Sequence, residues 1–188
     1  MQADAVEIRV LGSLIEKQRT TPDVYPLSLN ALRLACNQTS NRDPVVEYDE
    51  PTIRAALERL SRKGWTRLAS GPGSRAAKYR HLFDDAFDLP DPELALLTTL
   101  MLRGPQTLGE LRQRSERLYR FSSLEDVERT LCSLIDRELV AELPRRRFGH
   151  VLAGEAEETA PAPPDLEERV RRLEEQVAEL RELLDARG

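Results

Sequence analysis

The stretch that decides the fold is DEPTIRAALERLSRKGWTRLASGPGSRAAKYRHL, residues 49–82. Its first half predicts a helix starting near Asp49, with Pro51 in the first turn, where a missing N–H costs nothing. Ile53, Leu57 and Leu60 recur at helical spacing on one face, and Gly64 is a natural C-terminal cap. The rhythm then changes. Trp65-Thr66-Arg67-Leu68-Ala69 alternates, Gly71-Pro72-Gly73-Ser74 turns, and Ala77-Lys78-Tyr79-Arg80-His81-Leu82 alternates again. A helix followed by a basic two-stranded hairpin is the reading.

Upstream, Val6, Val10, Leu11, Leu14 and Ile15 share one face of a helix predicted over Asp4–Arg19, which Thr20-Thr21-Pro22-Asp23 ends. Ser28 is placed to cap a second helix that turns Leu29, Leu32 and Cys36 inward. A polar loop, Asn37 to Pro44, leads to the stretch quoted above. Three helices followed by a hairpin are the order of a winged helix-turn-helix domain, expected over residues 1–82.

Downstream, residues 83–91 form an acidic, proline-bearing connector, and the pattern then repeats over 92–154. Leu94, Leu97, Leu100 and Met101 line a helix stopped by Gly104-Pro105. Thr107 and Glu110 make a capping box for the next helix, with Leu108 and Leu111 inward. Ser123 caps a third helix carrying Val127, Leu131, Leu134 and Ile135. Leu139–Leu143 and Gly149–Leu152 are expected to form a second hairpin. Ile53, Leu57, Leu60 and Trp65 correspond to Val127, Leu131, Leu134 and Leu139 at a constant offset of 74, which supports an internal repeat.

Residues 155–164 read as an extended Pro/Glu-rich linker. In 165–188, Leu166, Val170, Leu173, Val177, Leu180 and Leu184 alternate spacings of four and three. Valine at a and leucine at d favour a parallel two-stranded coiled coil, and hence a homodimer. A helix folding back on the body is the alternative for so short a heptad run. The expected fold class is therefore mainly α with small β-hairpins, in two tandem winged helix-turn-helix domains plus a C-terminal coiled-coil helix.

Long specific motifs carry a family resemblance. Val10-Leu11-Gly12, Glu16-Lys17, the run Thr20 to Leu32, Ala35-Cys36-Asn37-Gln38 and Ser40-Asn41-Arg42-Asp43-Pro44-Val45 are together similar to the bacterial YceH-like family. The resemblance continues more weakly to about Gly154. It implies tandem winged helices and a role in binding, and it supplies no catalytic residues.

Charge sharpens that expectation. The chain of 188 residues has a formal net charge of −5, with 40% apolar and 32% charged residues. Residues 155–188 hold 11 acidic and 5 basic side chains, which leaves 22 acidic against 23 basic in the body. Within the body, positions 54–80 carry eight basic residues and Glu58 as the one acid. Such a surplus favours polyanion binding over a merely solvated face.

Thr52, Arg59, Arg62 and Lys63 on the third helix, with Arg67, Arg75, Lys78 and Arg80 on the hairpin, are the candidate duplex-DNA contacts. Asn37, Asn41 and Arg42 are loop candidates for phosphate, although each residue type there also closes its own turns. Asp49 and Glu50 oppose phosphate at the helix start. The third helix of the second domain is worse placed, with Glu125, Asp126 and Glu128 at its start, although its hairpin bears Arg145-Arg146-Arg147; the first domain is expected to be the better nucleic-acid binder.

Two cysteines, Cys36 and Cys132, are too few for a disulfide scaffold, and both sit in apolar helical settings that predict burial. His81 and His150 have no metal-ligand pattern around them. No catalytic triad or phosphate loop is legible, so a non-enzymatic protein without cofactor or metal is expected. No apolar run approaches a membrane span, and the first residues lack a secretion signal, so a cytoplasmic location is expected. Two functions fit. One is a DNA-binding protein, with a transcriptional regulator as its expected form; the other is a protein-interaction module on the same scaffold, because fold does not imply function.

Overall fold

Capping chemistry starts the helices where the sequence places them. Asp4 and Glu7 exchange side-chain-to-backbone hydrogen bonds of 2.8 Å in a capping box that opens helix α1, Ala5–Thr20. Ser28 caps α2 (Leu29–Cys36) and Asp49 caps α3 (Glu50–Arg62), each through its side chain. Thr107 opens α6 (Leu108–Arg114) with a second capping box, and Ser123 caps α7 (Leu124–Asp136). Each of these side chains satisfies an amide that the first turn leaves without a partner.

The computed structural model describes residues 2–69 and 76–154. It is mainly helical with two small antiparallel sheets. The chain divides into one unit over Met1–Glu157 and another over Glu158–Gly188. The coiled-coil positions Leu166, Val170, Leu173, Val177, Leu180 and Leu184 lie outside the described residues.

The first sheet joins β1 (Leu27–Ser28), β2 (Thr66–Leu68) and β3 (Lys78–His81) in the order β1-β3-β2. The second joins β4 (Gln106–Thr107), β5 (Val140–Leu143) and β6 (Arg147–His150) in the matching order β4-β6-β5. The register matches as well: Ser28, the α2 cap, faces Lys78, and Thr107, the α6 cap, faces Arg147. The sequence reading expects two-stranded hairpins; the structure adds a third strand of two residues to each.

The repeat is exact in its turns. Past α3, Trp65 N–H bonds to Leu60 O at 2.9 Å, across Gly64 at φ +76°. Past α7, Leu139 N–H bonds to Leu134 O at 2.9 Å, across Glu138 at φ +56°. Glycine makes the left-handed residue easy in the first turn, and the second adopts it with a glutamate. An ion pair repeats too. Lys63, at the end of α3, reaches the buried carboxylate of Glu7 at 2.6 Å, and Arg137, at the end of α7, reaches the buried carboxylate of Glu93 at 2.9 Å. Each pair ties the third helix of a repeat to the first.

Helix α5 (Asp91–Arg103) is buried on nearly every side from Glu93 to Leu102. The sequence reading assigns one inward face to it; a helix apolar all round belongs in the middle of a core. Its second face packs on α1, where the missing Cβ of Gly12 lets Leu102 come close: an added Cβ would lie 3.0 Å from Leu102 Cδ2. Ala3 N–H to Leu152 O, 2.8 Å, and Asp43 N–H to Leu102 O, 2.9 Å, cross between the repeats as well. One hydrophobic cluster therefore runs from Ala3 to Leu152.

Within the expected connector, Phe83–Phe87 forms the short helix α4. Phe83 is fully buried, with its ring edge-on to Trp65 at 5.2 Å, and Phe87 lies 5.5 Å from the same indole. The segment thus closes the base of the hairpin. Cys36 is buried, and burial pushes its thiol up to about 11. Cys132 corrects the expectation for the second thiol: it is exposed on the outward side of α7. Its apolar neighbours Leu131 and Leu134 occupy the inward arc, and position 132 falls beyond it.

Candidate nucleic-acid interface

Helix α3 buries Ile53, Ala56, Leu57 and Leu60. Counting Ala56 among them sets the direction of the buried arc, which leaves Pro51, Ala55, Glu58 and Arg62 facing outward. One flank, with Thr52, Arg59 and Lys63, turns toward the start of α1. The other flank, with Arg54 and Ser61, turns toward the hairpin.

The flank toward α1 is chemically spent. Arg59 pairs with Asp4 at 2.7 Å and lies 3.6 Å from Glu7, while Lys63 holds Glu7 at 2.6 Å and stands 5.6 Å over the Trp65 ring. The Thr52 hydroxyl and its amide both bond the Asp49 carboxylate, which holds that carboxyl below its usual range. Arg59 and Lys63 thus tie α3 to α1, and Thr52 serves the cap of its own helix.

The flank toward the hairpin is open. Arg54, Glu58 and Ser61 of α3 and Arg67, Leu68 and Tyr79 of the hairpin border a groove of about 190 Å³. Arg62 and Lys78 are exposed nearby, and Arg80 is half-buried. None of Arg54, Arg62, Arg67, Lys78 and Arg80 makes an ion pair among the described residues; Arg62 and Arg80 bond only backbone carbonyls, at 3.4 Å each. Arg75, near the hairpin tip, lies outside the described residues. Arg54 borders this groove although it is absent from the candidates drawn from the sequence, because a face set by Ile53, Leu57 and Leu60 without Ala56 leaves it aside.

The loop candidates serve the loop. Both ends of the Asn37 amide bond the backbone of Tyr48, at 2.8 and 2.9 Å. Arg42 has a side chain with no exposure, in a pair of 2.6 Å with Glu16. It also donates to Ala35 O, Asn41 O and Gln38 Oε1. Asn41 takes a left-handed conformation, φ +60°, and its side-chain oxygen accepts from Arg103 of the second repeat.

The matching surface of the second repeat mixes both signs, with Arg129 and Arg145 exposed beside the acids. Glu125, Glu128 and Asp136 of α7 and Glu142 of β5 are exposed, and Arg146 is paired with Glu128 at 2.9 Å. The two repeats share a topology and present different chemistry.

A family profile described as a protein of unknown function, DUF480, matches residues 3–148, across both repeats. The chain belongs to the DUF480 family. Curated relatives are described as UPF0502 proteins. That of Solibacter usitatus is 49% identical, over 96% of this chain and 93% of its own length. That of Opitutus terrae is 47% identical, over 94% and 82%. That of Pectobacterium carotovorum is 43% identical, over 98% and 97%.

No group of three or more His, Cys, Asp or Glu side chains that could hold a metal ion occurs among the described residues of this DUF480 protein. No helix among them is long and apolar enough to cross a membrane.

Proposed function

We propose that both repeats are winged helix-turn-helix domains, and that the first binds duplex DNA by its α3–hairpin groove. The observation that carries this reading is that Arg54 and Arg67 border one groove, with Arg62, Lys78 and Arg80 on the same helix and hairpin, all without carboxylate partners among the described residues. Arg59 and Lys63 are taken up by carboxylates; cations left open along a helix and an adjoining hairpin suit a phosphate backbone. Glu58, in the same groove, is the one acid that opposes it.

The test is the salt dependence of duplex binding. Each phosphate contact removed lowers the slope of log affinity against log salt by about 0.9. Replacing Arg67 and Lys78 by alanine is expected to flatten the slope by about 1.8, for all sequences alike. Arg62→Ala is expected to alter sequence preference if its guanidinium reaches a base edge, by about 1–3 kcal/mol. Lys63→Ala leaves the slope unchanged, because its charge is already taken by Glu7. No binding at low salt, or equal slopes for all these variants, rejects the reading.

A second reading rests on the acidic surface of α7 and β5, which repels DNA and suits a basic protein partner. It predicts unchanged DNA affinity, and loss of that partner, when Glu125 and Glu128 become glutamine. For assembly, we propose a homodimer through the heptad positions from Leu166 to Leu184, in a protein of the cytoplasm. Light scattering at tens of micromolar is expected to give twice the chain mass for the full chain and the single mass for a chain ending at Gly154. A full-length monomer rejects the dimer, since association follows concentration.

A further inference from the structure

A second cationic feature lies away from the α3 groove, where the two repeats meet. It is a crevice of about 40 Å³ bordered by Glu16 of α1, Asn41 of the α2–α3 loop, Arg103 of α5, Arg114 of α6, and Arg117 just beyond α6. We propose that this crevice binds a phosphate-type oxyanion.

Three guanidinium groups point to such a ligand because of how they are held. Arg103 donates to the side-chain oxygen of Asn41, and Arg114 to that of Gln106. Both acceptors are neutral amides; Arg103 makes no ion pair among the described residues, while Arg114 also meets the Glu110 carboxylate at 3.2 Å. Arg117 is exposed and has no ion pair among the described residues. The carboxylates present are largely spoken for. Both oxygens of Glu16 are taken by the buried Arg42, at 3.1 and 2.6 Å. Glu110 shares itself between Arg114, at 3.2 Å, and the Thr107 cap. Positive charge is therefore assembled and aligned in a partly dry place with too little negative charge to match it.

Two further observations agree. Burial first, and then repulsion from Arg114, push the Arg103 guanidinium below its ordinary range, with Glu16 and Asp43 opposing the shift. The size also fits: a water needs roughly 10–15 Å³ of such space, so the crevice accommodates about three, the scale of a small tetrahedral anion. Planar forks from several directions are the usual means of holding its oxygens.

The probe is inorganic phosphate added to the full-length protein, with chloride at matched ionic strength as the control. A saturable rise in melting temperature is expected with phosphate alone, because a ligand that binds only the folded state stabilises it by mass action. Arg117→Gln, which removes no contact seen in the fold, is expected to weaken the apparent affinity about tenfold, in line with loss of one charge-assisted hydrogen bond. Arg103→Gln should weaken it at least as much. No rise, an equal rise with chloride, or an unchanged titration of Arg117→Gln overturns the proposal.

The phosphate group has two sources, and duplex DNA separates them. Competition between inorganic phosphate and duplex, with a salt slope reduced by about 0.9 in Arg117→Gln, assigns the crevice to a nucleic-acid backbone. DNA affinity indifferent to phosphate and to Arg117→Gln assigns it to a free phosphate compound.

Discussion

Arg42→Met is expected to lower the unfolding free energy by about 3–5 kcal/mol, the cost of removing one partner from a buried ion pair. The Arg42 side chain has 0% exposure and Glu16 has 14%, so the carboxylate left behind cannot be fully rehydrated. Ala35 O and Asn41 O lose their donor at the same time. An exposed pair offers the control. Arg19 meets Asp91 at 2.5 Å with 31% and 59% exposure, and Arg19→Ala should cost at most about 1 kcal/mol despite the shorter contact. Burial, not distance, decides the difference. Urea denaturation of the two variants measures it, and a shift for Arg42→Met no larger than that for Arg19→Ala contradicts this account. Against a typical total of about 5–15 kcal/mol, the loss is large enough to threaten the fold.

The second large effect is acid sensitivity starting near neutrality. Burial pushes His81 down to about 4, helped by Arg80 and Arg19 and opposed by Asp84. His81 Nε2 lies 2.5 Å from Gln18 Oε1, and Nδ1 lies 3.3 Å from Asp84 Oδ1. Burial likewise pushes His150 down to about 4, and its shielded Nδ1 has no hydrogen-bond partner. In the unfolded chain both histidines titrate near 6.5.

The sign follows from proton uptake. Above about pH 6.5 both states are neutral at these rings and stability is complete. Between about 6.5 and 4 the unfolded chain takes up protons that the folded chain refuses, so stability falls as pH falls. Each histidine contributes about 1.4 kcal/mol per pH unit in that window, or roughly 3 kcal/mol by pH 4. Denaturation curves between pH 7.5 and 5 are expected to show this slope in the wild type and about half of it in His150→Gln. A flat profile over that range refutes the assignment.

Local chemistry determined a large part of this protein. Ser28, Asp49, Thr107 and Ser123 cap the helices they precede, because a cap acts on amides two or three residues away and needs no distant partner. The inward positions of α3 and α7 follow from helical periodicity, and the offset of 74 between them reappears in matching turns. Strands β1 and β4, of two residues each, are too short to show any period.

Tertiary structure alone decided which charges remain free. Arg54 and Arg59 are the same residue type on the same helix. Arg59 is neutralised by Asp4, 55 positions away, whereas Arg54 borders an open groove. The same holds for Arg42, which a polar loop sequence presents as a surface residue and which Glu16 and Ala35 O draw into the interior. Periodicity describes one helix at a time, and a long-range ion pair depends on how two helices pack. The helix positions were therefore written locally, and which charges stay open was decided when the helices met.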